Sequence, residues 1–186
     1  TGILPVKPPA ENPARMAEPP VTWAVSGHRD GRVRLWDLAA GQCLATLTGH
    51  ARTVNSVRIT PDGRFAVSGS NDKTVKVWDL EAAACVGTLE GHQNQVWSVA
   101  ISPDGALIAS VSAFNTDQIT LWSWNAWSAQ TITTSIADSG FPCAAFSRDG
   151  LRLLCGDWTG RIHVFRLKIA DVLPRVDPAR RYVNAK

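Results

Sequence analysis

The sequence predicts an all-β protein built from repeated four-stranded antiparallel sheets, and three observations carry that expectation. Trp36-Asp37 and Trp78-Asp79 lie 42 residues apart, and so do Gly49-His50 and Gly91-His92. Pro61-Asp62-Gly63 returns as Pro103-Asp104-Gly105 at the same interval, and as Arg148-Asp149-Gly150 after a further 45. Unrelated signatures that share one period mark a tandem repeat. Within a period, CLATLT, VNSVRIT, FAVSGS and TVKVWDL are short, alternate in polarity and are rich in Val, Ile, Thr and aromatics, as strands are. The Gly-His, Pro-Asp-Gly, Asn-Asp-Lys and Leu-Glu-Ala-Ala stretches between them are turn signals at the spacing of a meander. Such a sheet cannot bury both apolar faces alone, so successive sheets are expected to stack face to face.

A repeat of this length with Gly-His, a Pro-Asp-Gly turn and a strand ending in Trp-Asp resembles the WD-repeat family of β-propellers. The stretches GHARTVNSVRITPDGRFAVSGSNDKTVKVWD (49–79) and GHQNQVWSVAISPDGALIASVSAFNTDQITLW (91–122) carry the likeness, which extends over residues 21–167. The resemblance implies a β-propeller of four-stranded antiparallel blades, about four in this chain, with the first and last incomplete.

The elements follow in order. Residues 1–20 hold six of the 11 prolines, which exclude helix interior and central strand, so they read as a linker or strap. Residues 21–38 form a partial blade that enters at its second strand; its inner strand is absent or comes from residues 1–20. Residues 39–80 form a complete unit. Residues 81–124 form a third with a longer turn, because Ser110 and Trp122 stand 12 apart where Ser68 and Trp78 stand 10 apart. Residues 125–167 form a degenerate fourth, with Cys155, Thr159 and Phe165 in place of Ser68, Asp72 and Trp78 and no Gly-His. Residues 168–186 lose the strand pattern and read as a solvated basic tail of net charge +3.

In the family each blade's outer strand comes from the following repeat. That implies three, four, four and three strands, with QTITTSI linking the last two blades. Four blades do not close a ring of the usual size. Half a propeller is therefore expected, completed by a second copy of the chain, by a missing N-terminal portion or by another chain, because open edges and apolar end faces invite pairing.

Composition narrows the function. The chain has 186 residues, 45% apolar and 19% charged, with net charge +3, which fits a globular domain rather than a disordered or nucleic-acid-binding arm. No stretch approaches the ~20 apolar residues of a membrane span. No signal peptide opens the chain, although a first residue of Thr suggests trimming. Cys43, Cys85, Cys143 and Cys155 occur singly, as suits a reducing compartment, and a cytoplasmic location is expected. Basic residues are absent between Lys76 and Arg148, which disfavours nucleic acid.

His50, Ser68 and Asp72 have the makings of a nucleophilic relay. The resemblance implies instead that, with Trp78, they form the buried hydrogen-bonded tetrad of a WD blade. It carries the same role to Ser26, Asp30 and Trp36 in the first unit, and to His92, Ser110 and Trp122 in the third, where Thr116 or Asp117 replaces the acid. The four histidines lack metal-ligand spacing, and no phosphate-binding glycine motif is present. No cofactor and no enzymatic activity are expected.

The remaining candidates lie on the surface. In WD-repeat proteins partners dock at the start of the inner strand and in the turn before the tetrad acid, which implies Thr53, Asn55, Asn71, Gln95, Trp97, Arg29 and Trp158 here. Trp97 and Trp158 lead, because large aromatics anchor interfaces; the alternative is that they pack against neighbouring blades. Trp124 and Trp127 suggest an exposed aromatic patch or a cap on the third blade. The expected function is a non-catalytic protein-interaction scaffold. The alternative is the C-terminal sensor or autoinhibitory part of a larger signalling protein, which open reading frame upstream of Thr1 would favour.

Overall fold

The structure, a computed structural model, describes residues 23–112, 118–123, 128–133 and 140–167. Fourteen strands are present among them: β1 (Trp23–Gly27), β2 (Val33–Asp37), β3 (Gln42–Leu47), β4 (Val54–Ile59), β5 (Phe65–Ser70), β6 (Val75–Asp79), β7 (Ala84–Leu89), β8 (Val96–Ile101), β9 (Leu107–Ser112), β10 (Gln118–Ser123), β11 (Ser128–Thr133), β12 (Cys143–Phe146), β13 (Arg152–Gly156) and β14 (Ile162–Arg166). They form four antiparallel sheets in the orders β1-β2-β3, β4-β5-β6-β7, β8-β9-β10-β11 and β12-β13-β14. The fold is all-β, and among the described residues the four sheets do not close into a ring.

Turn chemistry sets each inner hairpin. In the second sheet, Asp62 accepts from the Thr60 hydroxyl and the Arg64 N–H, and Gly63 takes a φ of 73° that an L side chain resists. Ser102, Asp104 and Gly105 repeat the arrangement in the third sheet, as do Ser147, Asp149 and Gly150 in the fourth. Arg148 replaces the proline there without changing the turn.

Apolar alternation then decides which side of each sheet meets which neighbour. On the second sheet, Ala66, Trp78 and Leu80 face the first sheet, in a cluster with Val33, Leu35 and Leu47. The opposite, trailing face of the second sheet, Val67, Val75, Val77 and Leu89, packs on Val96, Val99, Ile108 and Trp122 of the third. The trailing face of the third, including Ala109, Ile119 and Leu121, packs on Phe141, Leu153 and Cys155 of the fourth. Close approach is built in at Gly69, where a Cβ would stand 2.5 Å from Val96 Cγ1.

The QTITTSI stretch departs from the expectation of a link. Gln130–Thr133 lie in β11, which pairs along all of β10 as the outer strand of the third sheet. The expected linker at 1–20, the tail at 168–186, Thr116, Asp117, Trp124 and Trp127 lie outside the described residues. Among the described residues, no helix is long and apolar enough to cross a membrane.

Candidate functional site

In the second sheet, β5 and β6 pair so that Ser68 and Trp78 share the leading face, and the loop before β4 folds His50 over them. The Trp78 indole N–H donates to Ser68 Oγ at 2.8 Å. Ser68 has one proton left to give, so its 2.7 Å contact with His50 Nε2 is a donation to an unprotonated nitrogen. His50 Nδ1–H then donates to Asp72 Oδ2 at 2.8 Å, giving one chain of donors from indole to carboxylate.

Electrostatics agree with that tautomer. Burial pushes the His50 pKa below its usual 6.5 and outweighs the opposing pull of Asp72. Burial also raises Asp72, but hydrogen bonds from the Thr74 hydroxyl, His50 and the Ala51 and Thr74 N–H groups outweigh it and bring the carboxyl down to about 2. Ser68 is 0% exposed and both its neighbours in the chain are buried, so no substrate can reach the hydroxyl in this conformation. The geometry is that of a satisfied core network.

The third sheet repeats the inner part: His92 Nε2 stands 2.6 Å from Ser110 Oγ, to which Trp122 Nε1 donates at 2.7 Å. The first sheet differs from the expectation. Trp36 Nε1 donates to Ser26 Oγ at 2.7 Å, but the imidazole on Ser26 is that of His28, at 2.8 Å, from just beyond the same strand. With no Gly-His loop ahead of β1, the histidine is supplied locally. Asp30 does not hydrogen-bond to it; its carboxylate caps the Arg32 N–H at 3.1 Å and pairs with Arg32 and Arg34 at 3.4 Å.

In the fourth sheet the network is replaced by apolar packing. Phe141 occupies the histidine's place, following Gly140, and meets Phe165 edge to face at 6.2 Å, above the buried Cys155. Burial pushes the Cys155 thiol up to about 12, so it stays protonated. Thr159 donates to Asp157, whose other oxygen takes a 2.9 Å hydrogen bond from His163. That bond, with those from Thr159 and Arg161, holds the Asp157 carboxyl far below the usual range. His28, Phe141, Asp157 and His163 escape the sequence reading; the Gly-Phe dipeptide ahead of CAAF was the one signal available.

The seven surface candidates fall at one end of the sheets, where the inner strands begin and the middle hairpins turn. Thr53 Oγ1 donates to the Arg29 carbonyl at 3.3 Å, and the Asn71 N–H to the Thr53 carbonyl at 2.9 Å. Asn55 Nδ2 reaches both Asn71 Oδ1 at 2.6 Å and the Val96 carbonyl at 2.8 Å, tying the second sheet to the third. Gln95 N–H donates to Asn94. Trp97 and Trp158, from the third and fourth sheets, meet edge to face at 5.5 Å and 87°, with Trp158 51% exposed. Both surface readings of these tryptophans thus share one geometry: they pack across a sheet boundary and leave an aromatic surface outside.

Among the described residues, no cluster of His, Cys, Asp and Glu could hold a metal ion. The four cysteines are unbridged, and Cys43, Cys85 and Cys143 are exposed.

The profile of the family described as WD domain, G-beta repeat, matches residues 19–37, 41–79 and 83–123, just over half of the chain. Nuclear distribution protein PAC1 of Cryptococcus neoformans var. neoformans serotype D (strain JEC21 / ATCC MYA-565) is 41% identical over 59 residues, 32% of this chain and 13% of that protein. The Lissencephaly-1 homolog of Dictyostelium discoideum is 44% identical over 43 residues, 23% of this chain and 10% of the relative. The chain therefore spans a small part of the relatives it matches. With the three profile matches falling on sheets whose Trp, Ser and His side chains are joined as described, the chain belongs to the WD-repeat family.

Proposed function

We propose that this chain is a non-catalytic protein-interaction scaffold that binds a protein or peptide partner along its row of end-face residues, with the Trp97–Trp158 pair as anchor. The single observation that supports it is that aromatic pair, with Trp158 51% exposed and Trp97 partly buried, at the end of the sheets where Asn55, Asn71 and Gln95 also lie. Aromatic anchors ringed by polar groups carry most of the energy of known interfaces. The reading includes completion of the open set of sheets by a second copy or by another chain, and it involves no nucleic acid and no membrane. A cytoplasmic location suits the four unbridged thiols.

A peptide library displayed on phage and selected against the purified chain tests the proposal. Selected peptides should bind Trp158→Ala about tenfold or more weaker than the parent, as expected for loss of an anchor. Equal binding would remove the pair from the interface.

A further inference from the structure

The end of the sheets that carries the Trp97–Trp158 pair is one-sided in charge, because its acids are engaged within the chain. Asp30 pairs with Arg32 and Arg34, each at 3.4 Å. Asp72 accepts from His50, from the Ala51 N–H and from the Thr74 hydroxyl. Asp157, its side chain 4% exposed, accepts from His163, from the Thr159 hydroxyl and from the Arg161 N–H. The cations here lack such partners: among the described residues, Arg29, Arg52, Lys73 and Arg161 are exposed and form no ion pair. The remaining acid among the described residues at this end is Glu90, just past the outer strand β7.

The turns set where these charges stand. Arg29 lies between β1 and β2, Arg52 ahead of β4, Lys73 between β5 and β6, and Arg161 in the same turn as Trp158. Lys73 takes a φ of 72° where the equivalent turns have Gly31 at 81° and Gly160 at 86°, so a cation occupies a left-handed position that glycine would hold without strain. Spread over three sheets, the four charges do not converge on one point as a phosphate-binding cluster does. They match carboxylates spaced along an extended chain. Nor do the aromatics form a row of faces for successive bases: Trp97 is partly buried and stands at 87° to Trp158, which leaves the exposed surface to one ring.

We propose that the partner taken up at this end is a linear peptide rich in Asp and Glu around one large apolar residue, with that residue resting on Trp158 and the carboxylates meeting Arg29, Arg52, Lys73 and Arg161. This rests on the scaffold reading and names the chemistry of its partner. The tryptophan supplies the anchor, and the surrounding cations speed encounter with an acidic chain and reject a basic one.

Fluorescence anisotropy of the full chain with three pools of fluorescein-labelled peptides, all with a fixed central Phe, tests this. The flanking positions are drawn from Asp, Glu, Gly and Ser in the first pool, from Asn, Gln, Gly and Ser in the second, and from Lys, Arg, Gly and Ser in the third. The acidic pool should bind about tenfold or more tighter than the neutral pool, and the basic pool weakest of all. Lys73→Gly with Arg161→Thr installs the residue types that equivalent turns carry at Gly31, Gly160 and Thr74, so the sheets stay intact. It should weaken the acidic pool roughly fivefold and leave the neutral pool unchanged. Equal binding of the acidic and neutral pools, each weakened by Trp158→Ala, overturns the acidic assignment and leaves the scaffold reading standing. So does an acidic-pool affinity that the double variant does not change. A fluorescein-labelled oligouridylate bound more tightly than the acidic pool overturns the peptide assignment in favour of nucleic acid. Binding of none of the pools, or binding indifferent to Trp158→Ala, overturns both this inference and the tryptophan-anchored scaffold.

Discussion

Replacing Ser68 by Ala removes one oxygen that serves two buried groups. The Trp78 N–H loses its 2.8 Å acceptor and His50 Nε2 its 2.7 Å donor, with Trp78 and Ser68 both 0% exposed. Each orphaned group costs about 1–3 kcal/mol, so the variant should lose roughly 2–5 kcal/mol after partial relaxation. For a domain of this size each kcal/mol moves the midpoint by about 2–4 °C, which makes the expected drop about 4–20 °C. Ser26→Ala is the internal comparison. Ser26 holds the same two bonds, to Trp36 and His28, but in a half-buried setting where water can replace the hydroxyl. Its drop should be less than half as large. Melting followed by circular dichroism and tryptophan fluorescence reads both variants. Equal drops, or a Ser68→Ala midpoint within about 2 °C of the parent, would refute the claim that burial gives the network its weight.

The remaining predictions concern titration and thiol reactivity. His50 folds with its pKa below 6.5, so the unfolded chain binds the extra proton first; this stability is complete above about pH 6.5 and is lost as pH falls below it. Asp72 and Asp157, both lowered from 3.8, contribute stability that is present above pH 3.8 and lost on further acidification, for Asp72 through about 2. Urea midpoints at pH 7.5 and pH 5 should therefore differ in the parent and differ less in His50→Gln. Ellman's reagent should label Cys43, Cys85 and Cys143 promptly and Cys155 only on unfolding, because Cys155 is buried with its thiol pushed up to about 12. Four fast thiols would contradict the packing of the fourth sheet.

The second sheet was legible almost entirely, because every part of it is local in sequence: a hairpin at Pro61-Asp62-Gly63, a turn at Asn71-Asp72-Lys73, and a strand pattern between them. Its network was legible only through likeness to a family, since nothing in the spacing of His50 and Ser68 says that an 18-residue excursion returns to contact. The first sheet went partly wrong for a related reason. Asp30 occupies the right position, yet its carboxylate finds Arg32 and Arg34 closer at hand, and His28 reaches Ser26 without help from a preceding loop.

The sequence by itself determined the number of sheets, their order along the chain and the face each residue presents, because alternation and turn chemistry act over a few residues. Tertiary structure decided which surfaces those faces meet. Phe141 can stand where a histidine stands elsewhere only because Cys155 and Phe165 come to it from other strands. Trp97 and Trp158 form a pair because two sheets bring them within 5.5 Å. Ile162 and Val164 are exposed because no fifth sheet stands beside them among the described residues, a fact of assembly that no local pattern encodes.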